Sequence, residues 1–391
     1  MDKNPAINLW AIVIAVFLIP ASSCKKERAN IYPAQHTEEM MSSEILYTPV
    51  IGNNTRSVLL IINYDGDTLK LTDKDTAVSD FRKWEVDGKI YYSYFLHNTG
   101  FYTIPQIPYA AGYRIITDTA FRELKRLKLV SHNGIDAAAQ PALENHDFLV
   151  LGANHFITLA YYEKAVDNIP AHLLPATGIK VVTPVIQELL DDRVIWQWVG
   201  SDYPELYATS VEGNNYSNTA IAADYLHVNS MWVDEKDGNL LISCRNSNQL
   251  IKLNRHGTGI VWQLGGINSD FELQEDNQFL RQHNATYINN GKTILLLDNG
   301  LLDIRNYSRV LEFDIDEQNR MITSVRTFII PGDFIRFAGS VQKFGDRYFI
   351  GGGVSPGYTP YILEVNHRTG VKTFEKRLEL GSYRAFKYVS P

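Results

Sequence analysis

Three histidines, one arginine and one asparagine are the residues of this sequence best placed to do chemistry. His146 opens the stretch HDFLVLG, His227 opens HVNSMWV and His283 opens HNATYIN. Each precedes a run of apolar and β-branched residues that ends in a turn, at Gly152-Ala153-Asn154, Asp237-Gly238 and Asn290-Gly291 respectively. Imidazole changes charge near neutrality, so it can act as nucleophile, acid, base or metal ligand. Arg245 closes the strand LLISCR and runs back toward the end where His227 began. Residues two apart on a strand share a face, which predicts that Asn229 points with His227. A guanidinium near imidazoles suits an oxyanion, gripped through several donors. The rival is zinc held by three histidines. The spacings match no short zinc motif, and Arg245 would repel a cation. A single histidine at a strand end is ordinarily a solvated or hydrogen-bonded residue. Three at equivalent places in a repeat ask for a common explanation.

The repeat consists of short strands punctuated by turn dipeptides. SVLLIINYDGDTLKL, RKWEVDGKIYYSYF, HDFLVLGANHFITLAYY, HVNSMWVDEKDGNLLISCR, HNATYINNGKTILLLDNG and SVQKFGDRYFIGGG each read as strand, turn, strand. The last three continue into a further apolar strand, a turn and an outer strand, as in NQLIKLNRHGTGIVWQLGG. Four strands per unit at a period of roughly 50 to 60 residues is the signature of propeller blades. The expected fold is therefore all-β, a six-bladed β-propeller with four-stranded antiparallel blades around a central channel. TAFRELKRLKLV is the main stretch with helical character, and its place in the second unit predicts a strand or a short helix between strands. The first strand of a blade lines the channel, so the three histidines should converge at one mouth. The other histidines have ordinary settings: His155, His256 and His367 in turns or second strands, and His36, His97, His132 and His172 in loops or termini.

Lys3 is followed by the apolar run LWAIVIAVFLI and then by PASSC. A cation, an apolar stretch short for a bilayer and small residues before Cys24 predict a lipoprotein leader over 1–23. Cys24 would carry the lipid, residues 24–43 would form a flexible tether and residues 44–391 the propeller domain. This places the domain at a membrane, on the periplasmic face or the cell surface, in an exported bacterial lipoprotein of the outer membrane. If Cys24 is lipidated, Cys244 is the remaining thiol. Its apolar strand context predicts a buried, inert group. The net charge of −7 argues against a nucleic-acid partner, which selects for a basic surface.

The segment DYLHVNSMWVDEKDGNLLISCRNSNQLIKLNRHGTGIVWQLGG, with QHNATYINNGKTILLLDNG and SRVLEFDID after it, resembles the bacterial arylsulfate sulfotransferase family. ENHDFLVLGANHFITLA upstream, and GSVQKFGDRYFIGGG and SYRAF downstream, extend the likeness over most of the mature chain. The resemblance implies a six-bladed propeller that moves a sulfuryl group from a phenolic sulfate ester to a phenol without a nucleotide donor. It implies that His283 becomes transiently sulfurylated, with ping-pong kinetics. His227, Arg245 and His146 match further active-site residues. Arg245, His227 and Asn229 would steady the sulfuryl oxygens, while His146 or His227 would serve as acid and base. No metal or organic cofactor is implied. Set against the better-known members, the resemblance implies a shorter chain without their separate N-terminal β-domain and without a disulfide-forming cysteine pair, which leaves oligomeric state open. A non-catalytic propeller binding a glycan or protein, and an aryl-sulfate hydrolase, are the competing functions.

Overall fold

The alternation of Val, Ile, Leu and aromatic residues between turn dipeptides produces six antiparallel sheets. The computed structural model describes residues 30–31, 42–49, 57–332, 334–355 and 360–389. Cys24, the leader and nearly all of the tether lie outside them. Blade two runs through Val78–Val86, Lys89–His97, Ala111–Thr117 and Glu123–Leu127, from the innermost strand outward. Blade three uses Phe148–Gly152, His155–Ala165, Lys180–Leu190 and Arg193–Val199. Blade four uses Val228–Val233, Leu240–Cys244, Gln249–Leu253 and Ile260–Gly265. Blade five uses His283–Ile288, Thr293–Asp298, Arg309–Asp316 and Met321–Ile329. Blade six uses Ser340–Phe344, Arg347–Gly351, Tyr361–Asn366 and Lys372–Arg377, with Asn30–Ile31 added at its outer edge. The stretch with helical character in the second unit is the outer strand Glu123–Leu127.

Blade one differs from the expected reading in one respect. SVLLIINYDGDTLKL is not an inner pair but the outer pair, Ser57–Ile62 and Thr68–Lys74. Its two inner strands come from opposite ends of the chain. Ser382–Val389 is innermost and pairs with Ser43–Pro49, with Ser43 opposite Val389 and Leu46 opposite Phe386. This closes the ring through backbone hydrogen bonds between strands from the two ends of the chain.

Apolar side chains from facing blades fill the space between sheets. Ile157, Ile186 and Trp198 of blade three pack in one cluster with Val228, Ile242 and Ile251 of blade four. Toward the channel the junctions are polar. Met231 N donates to Asp147 Oδ2 at 2.7 Å, Ala285 N to Ser230 Oγ at 3.0 Å and Val341 N to Asn284 Oδ1 at 2.8 Å. Lys83 N donates to the Tyr388 hydroxyl at 3.0 Å. Inner-strand amides have no further strand to pair with, so a side chain from the neighbouring blade satisfies each of these. Between blades one, two and three the junction is ionic. Asp80 and Asp147 are ringed by Arg82, Arg114 and Arg384, with Arg82 2.5 Å from Asp147 and Arg114 2.6 Å from Asp80. All five side chains are buried. Pairing of this kind is what makes buried charge tolerable.

Candidate active site

The loops entering the inner strands of blades three, four and five bring the three histidines together. Each is only 4% exposed. The rings of His146 and His227 meet edge to face with centroids 4.9 Å apart. His283 is near enough for the charge on His146 and on Arg245 to act on it. His146 and His227 are thus brought into contact, with His283 within electrostatic reach of His146. Tyr161 stacks on His146 at 5.5 Å and stands edge-on to His227 at 5.5 Å, while Tyr383 meets His146 edge-on at 5.8 Å. The Tyr161 hydroxyl donates to Val228 O and that of Tyr383 to His146 O. Burial pushes both phenols above their usual range, and their rings wall the two histidines.

The three imidazoles are held in two different ways. His146 Nδ1 contacts Glu144 Oε2, and the same carboxylate accepts from His146 N at 2.8 Å. His227 Nδ1 lies 2.6 Å from Asp224 Oδ2. His283 Nδ1 instead faces two neutral acceptors, Asn299 Oδ1 at 2.8 Å and Arg281 O at 3.1 Å. The Asn299 amide cannot be turned round, because its nitrogen donates to Ile335 O and Ala338 O at 2.9 and 3.0 Å. His283 Nδ1 therefore carries the proton, and Nε2 keeps its lone pair. Among the described residues, none of the three Nε2 atoms has a hydrogen-bond partner. Burial lowers the pKa of His283 well below the ordinary value, with His146, Arg245 and Arg384 adding to the effect against the Asn299 hydrogen bond. Burial also lowers that of His227, against the pull of Asp224. His283 is thus a neutral, oriented imidazole. The carboxylate partners of His146 and His227 fix their tautomers, with Nδ1 toward the carboxylate, as in a catalytic triad.

The local sequence explains these positions. Asp298 ends the second strand of blade five, and Asn299-Gly300 follow it. Asp298 accepts from Leu280 N and from Arg309 Nε, and pairs with Arg305, which anchors the loop. Gly300 has φ +84, and a Cβ there would lie 2.7 Å from both Arg305 O and Tyr307 O. Asn299 between them sets the histidine tautomer. Gln282 is buried and donates to Ser243 Oγ, Cys244 O and Gln249 O, which locks the residue before His283 onto blade four. His227 itself has φ +53, a left-handed conformation that non-glycine residues rarely adopt and that often marks a functional position.

Arg245 lies beside the cluster as expected. Its backbone amide donates to His227 O at 3.1 Å, and its guanidinium donates to Asn246 Oδ1 at 2.5 Å. Arg281 stands near enough for the two charges to interact, and carries further partners of its own. Arg281 forms a bidentate pair with Glu212, both bonds at 3.0 Å, and Arg336 is close enough to oppose the Arg281 charge. The prediction for Asn229 needs correction. Register shifts between Val228 and Ser230, so a bulge at Asn229 interrupts the alternation that was to align it with His227. Asn229 Nδ2 donates to Gln282 O at 2.7 Å and ties blade four to the backbone next to His283. Cys244 is fully buried and its thiol is pushed far up by burial, an inert group as anticipated. Among the described residues, one group of three carboxylates is close enough to share an ion: Asp234, Asp237 and Glu317. The Lys252 ammonium already lies 2.6–2.8 Å from all three.

A family model described as Arylsulfotransferase (ASST) matches residues 144–388. No curated protein matches the sequence. Among solved structures, a Bacteroides caccae protein of unknown function is 11% identical with a TM-score of 0.45, over 90% of this chain and 100% of that one. The Pseudomonas aeruginosa periplasmic gluconolactonase PpgL is 8% identical with a TM-score of 0.45, over 89% of this chain and 99% of that one.

Proposed function

The chain belongs to the arylsulfotransferase (ASST) family, and from that premise we propose that it transfers a sulfuryl group from a phenolic sulfate ester to a phenol through a covalent intermediate on His283. Family membership supports arylsulfotransferase activity in general. The observation that carries the finer reading is the difference in support under the three imidazoles. His283 rests on a neutral amide, whereas His146 and His227 rest on carboxylates. A nucleophile needs a free lone pair at neutral pH, and an acid–base group needs a stabilised cation.

The reaction then runs in two halves. His283 Nε2 attacks sulfur, the N–S bond forms and the bond from sulfur to the aryl oxygen breaks. The departing oxygen takes a proton from His146 or His227, each oriented by a carboxylate. In the second half that histidine accepts the proton of the incoming phenol, whose oxygen attacks sulfur as the N–S bond breaks. Arg245 offsets charge on the sulfuryl and leaving oxygens, where positioned donors act most strongly in a water-poor site. Asn229 contributes by holding the blade-five backbone beside His283.

The test is p-nitrophenol release from p-nitrophenyl sulfate by the purified soluble domain, with and without added phenol. Release that depends on phenol supports transfer. Release independent of phenol replaces transfer with hydrolysis, and no release across a panel of aryl sulfates contradicts an enzyme. A lipid on Cys24 would hold this site at a membrane outside the cytoplasm. Palmitate labelling of the expressed full chain, lost in Cys24→Ala, is the expected result.

A further inference from the structure

Glu212 lies between the arginines of the channel mouth. Its carboxylate takes a bidentate contact from Arg281 and lies 3.2 Å from Arg245 Nη1. The segment that carries it is pinned. Val211 N and Glu212 N both donate to Asn246 O, at 2.9 and 3.2 Å. Gly213 has φ +71, and a Cβ there would lie 2.3 Å from Asp224 O. The backbone that carries the carboxylate is thus held against the residue after Arg245 and against the aspartate that holds His227. A carboxylate in a guanidinium fork occupies the same donors that a sulfuryl or phosphoryl group would use. It also places a negative charge between Arg245 and Arg281.

An aryl sulfate and an aryl phosphate have nearly the same shape and the same oxygens. They differ in charge: the sulfate ester is a monoanion, whereas the phosphate ester approaches a dianion at neutral pH. Repulsion from a fixed carboxylate grows in proportion to ligand charge. We propose that Glu212 is a specificity residue, which tunes the arginine-lined mouth to admit a monoanionic sulfate ester and to reject a dianionic phosphate ester. The inference rests on the sulfuryl-transfer reading and names the ligand that the same site excludes.

The experiment compares wild type with Glu212→Gln, using 4-methylumbelliferyl sulfate as donor, phenol as acceptor and p-nitrophenyl phosphate as inhibitor. Because the logarithm of each shift scales with charge, a donor KM lowered about threefold should accompany a phosphate Ki lowered about tenfold. Arg281→Gln should move both the other way, the phosphate ester again more. Equal shifts for the two esters, or none, overturn the proposal. Damage to the loop would weaken both ligands together and would not produce the two-to-one ratio. Calorimetric titration of p-nitrophenyl sulfate and p-nitrophenyl phosphate, with and without Glu212→Gln in a His283→Asn background, reads the same ratio without turnover. An inactive wild type would therefore sink the transfer reading, while the titration would still decide the charge claim.

Discussion

The tautomer of His283 depends on one side-chain oxygen, that of Asn299, whose own orientation is fixed by two carbonyls. Asn299→Ala should therefore lower kcat about 10- to 100-fold with a smaller change in KM, in line with the cost of removing groups that orient a reactive histidine. Single-turnover kinetics with p-nitrophenyl sulfate would check it. The lowered pKa of His283 has two consequences of definite sign. The nucleophile stays neutral below the ordinary histidine value of about 6.5, so with a good leaving group the acid limb of kcat/KM should lie below that value. Stability should move the opposite way. Between the depressed folded pKa and the unfolded one, the unfolded chain binds the extra proton, so stability present above about pH 6.5 is lost as pH falls. Thermal unfolding from pH 7 to 5 should show this fall, and His283→Asn should make it shallower.

At the scale of the element, the bulges at the mouths of the inner strands aim these side chains. Register shifts between Val228 and Ser230 and between His283 and Thr286, and Asn284 has φ +51. Asn284 Oδ1 also satisfies Val341 N of blade six. Asn284→Gly keeps the conformation but leaves that buried amide unpaired, at a cost of about 1–3 kcal/mol. Asn284→Ala should cost about 1–2 kcal/mol more for the left-handed backbone. Urea titration of wild type, the glycine variant and the alanine variant should rank them in that order of stability. The same bulges explain what the sequence reading reached and what it missed. His146, His227 and His283 were legible because each stands at the same place in the repeat. Asn229 was misaimed because simple alternation fails at a bulge. Glu144, Asp224 and Asn299 lay inside the quoted motifs, but Asp224 and Asn299 reach the histidines from loops and Glu144 from the two-residue strand Leu143–Glu144, where strand periodicity assigns no direction. Glu212 lies further out, in a segment with no counterpart in the other blades.

At the scale of the whole molecule, the ring is closed by Ser382–Val389, and closure carries part of the site. Arg384 of that strand is fully buried, donates to Asn229 O at 2.7 Å and acts on His283. Tyr383 beside it walls His146. The six-blade count was readable from turn spacing. The closure was not, because a strand paired across the two ends of the chain leaves no local pattern. Truncation before Gly381 should abolish cooperative unfolding, since it removes the innermost strand of blade one and exposes the apolar surface of the sheet beneath it. Circular dichroism melting would detect this. The central claim, that His283 carries the sulfuryl group, is tested most directly by trapping the protein with p-nitrophenyl sulfate in the absence of phenol and mapping the modification by mass spectrometry. The account predicts one SO3 group on His283, discharged on adding phenol and absent in His283→Asn. A group found on His146 or His227, or phenol-dependent turnover retained in His283→Asn, would contradict it.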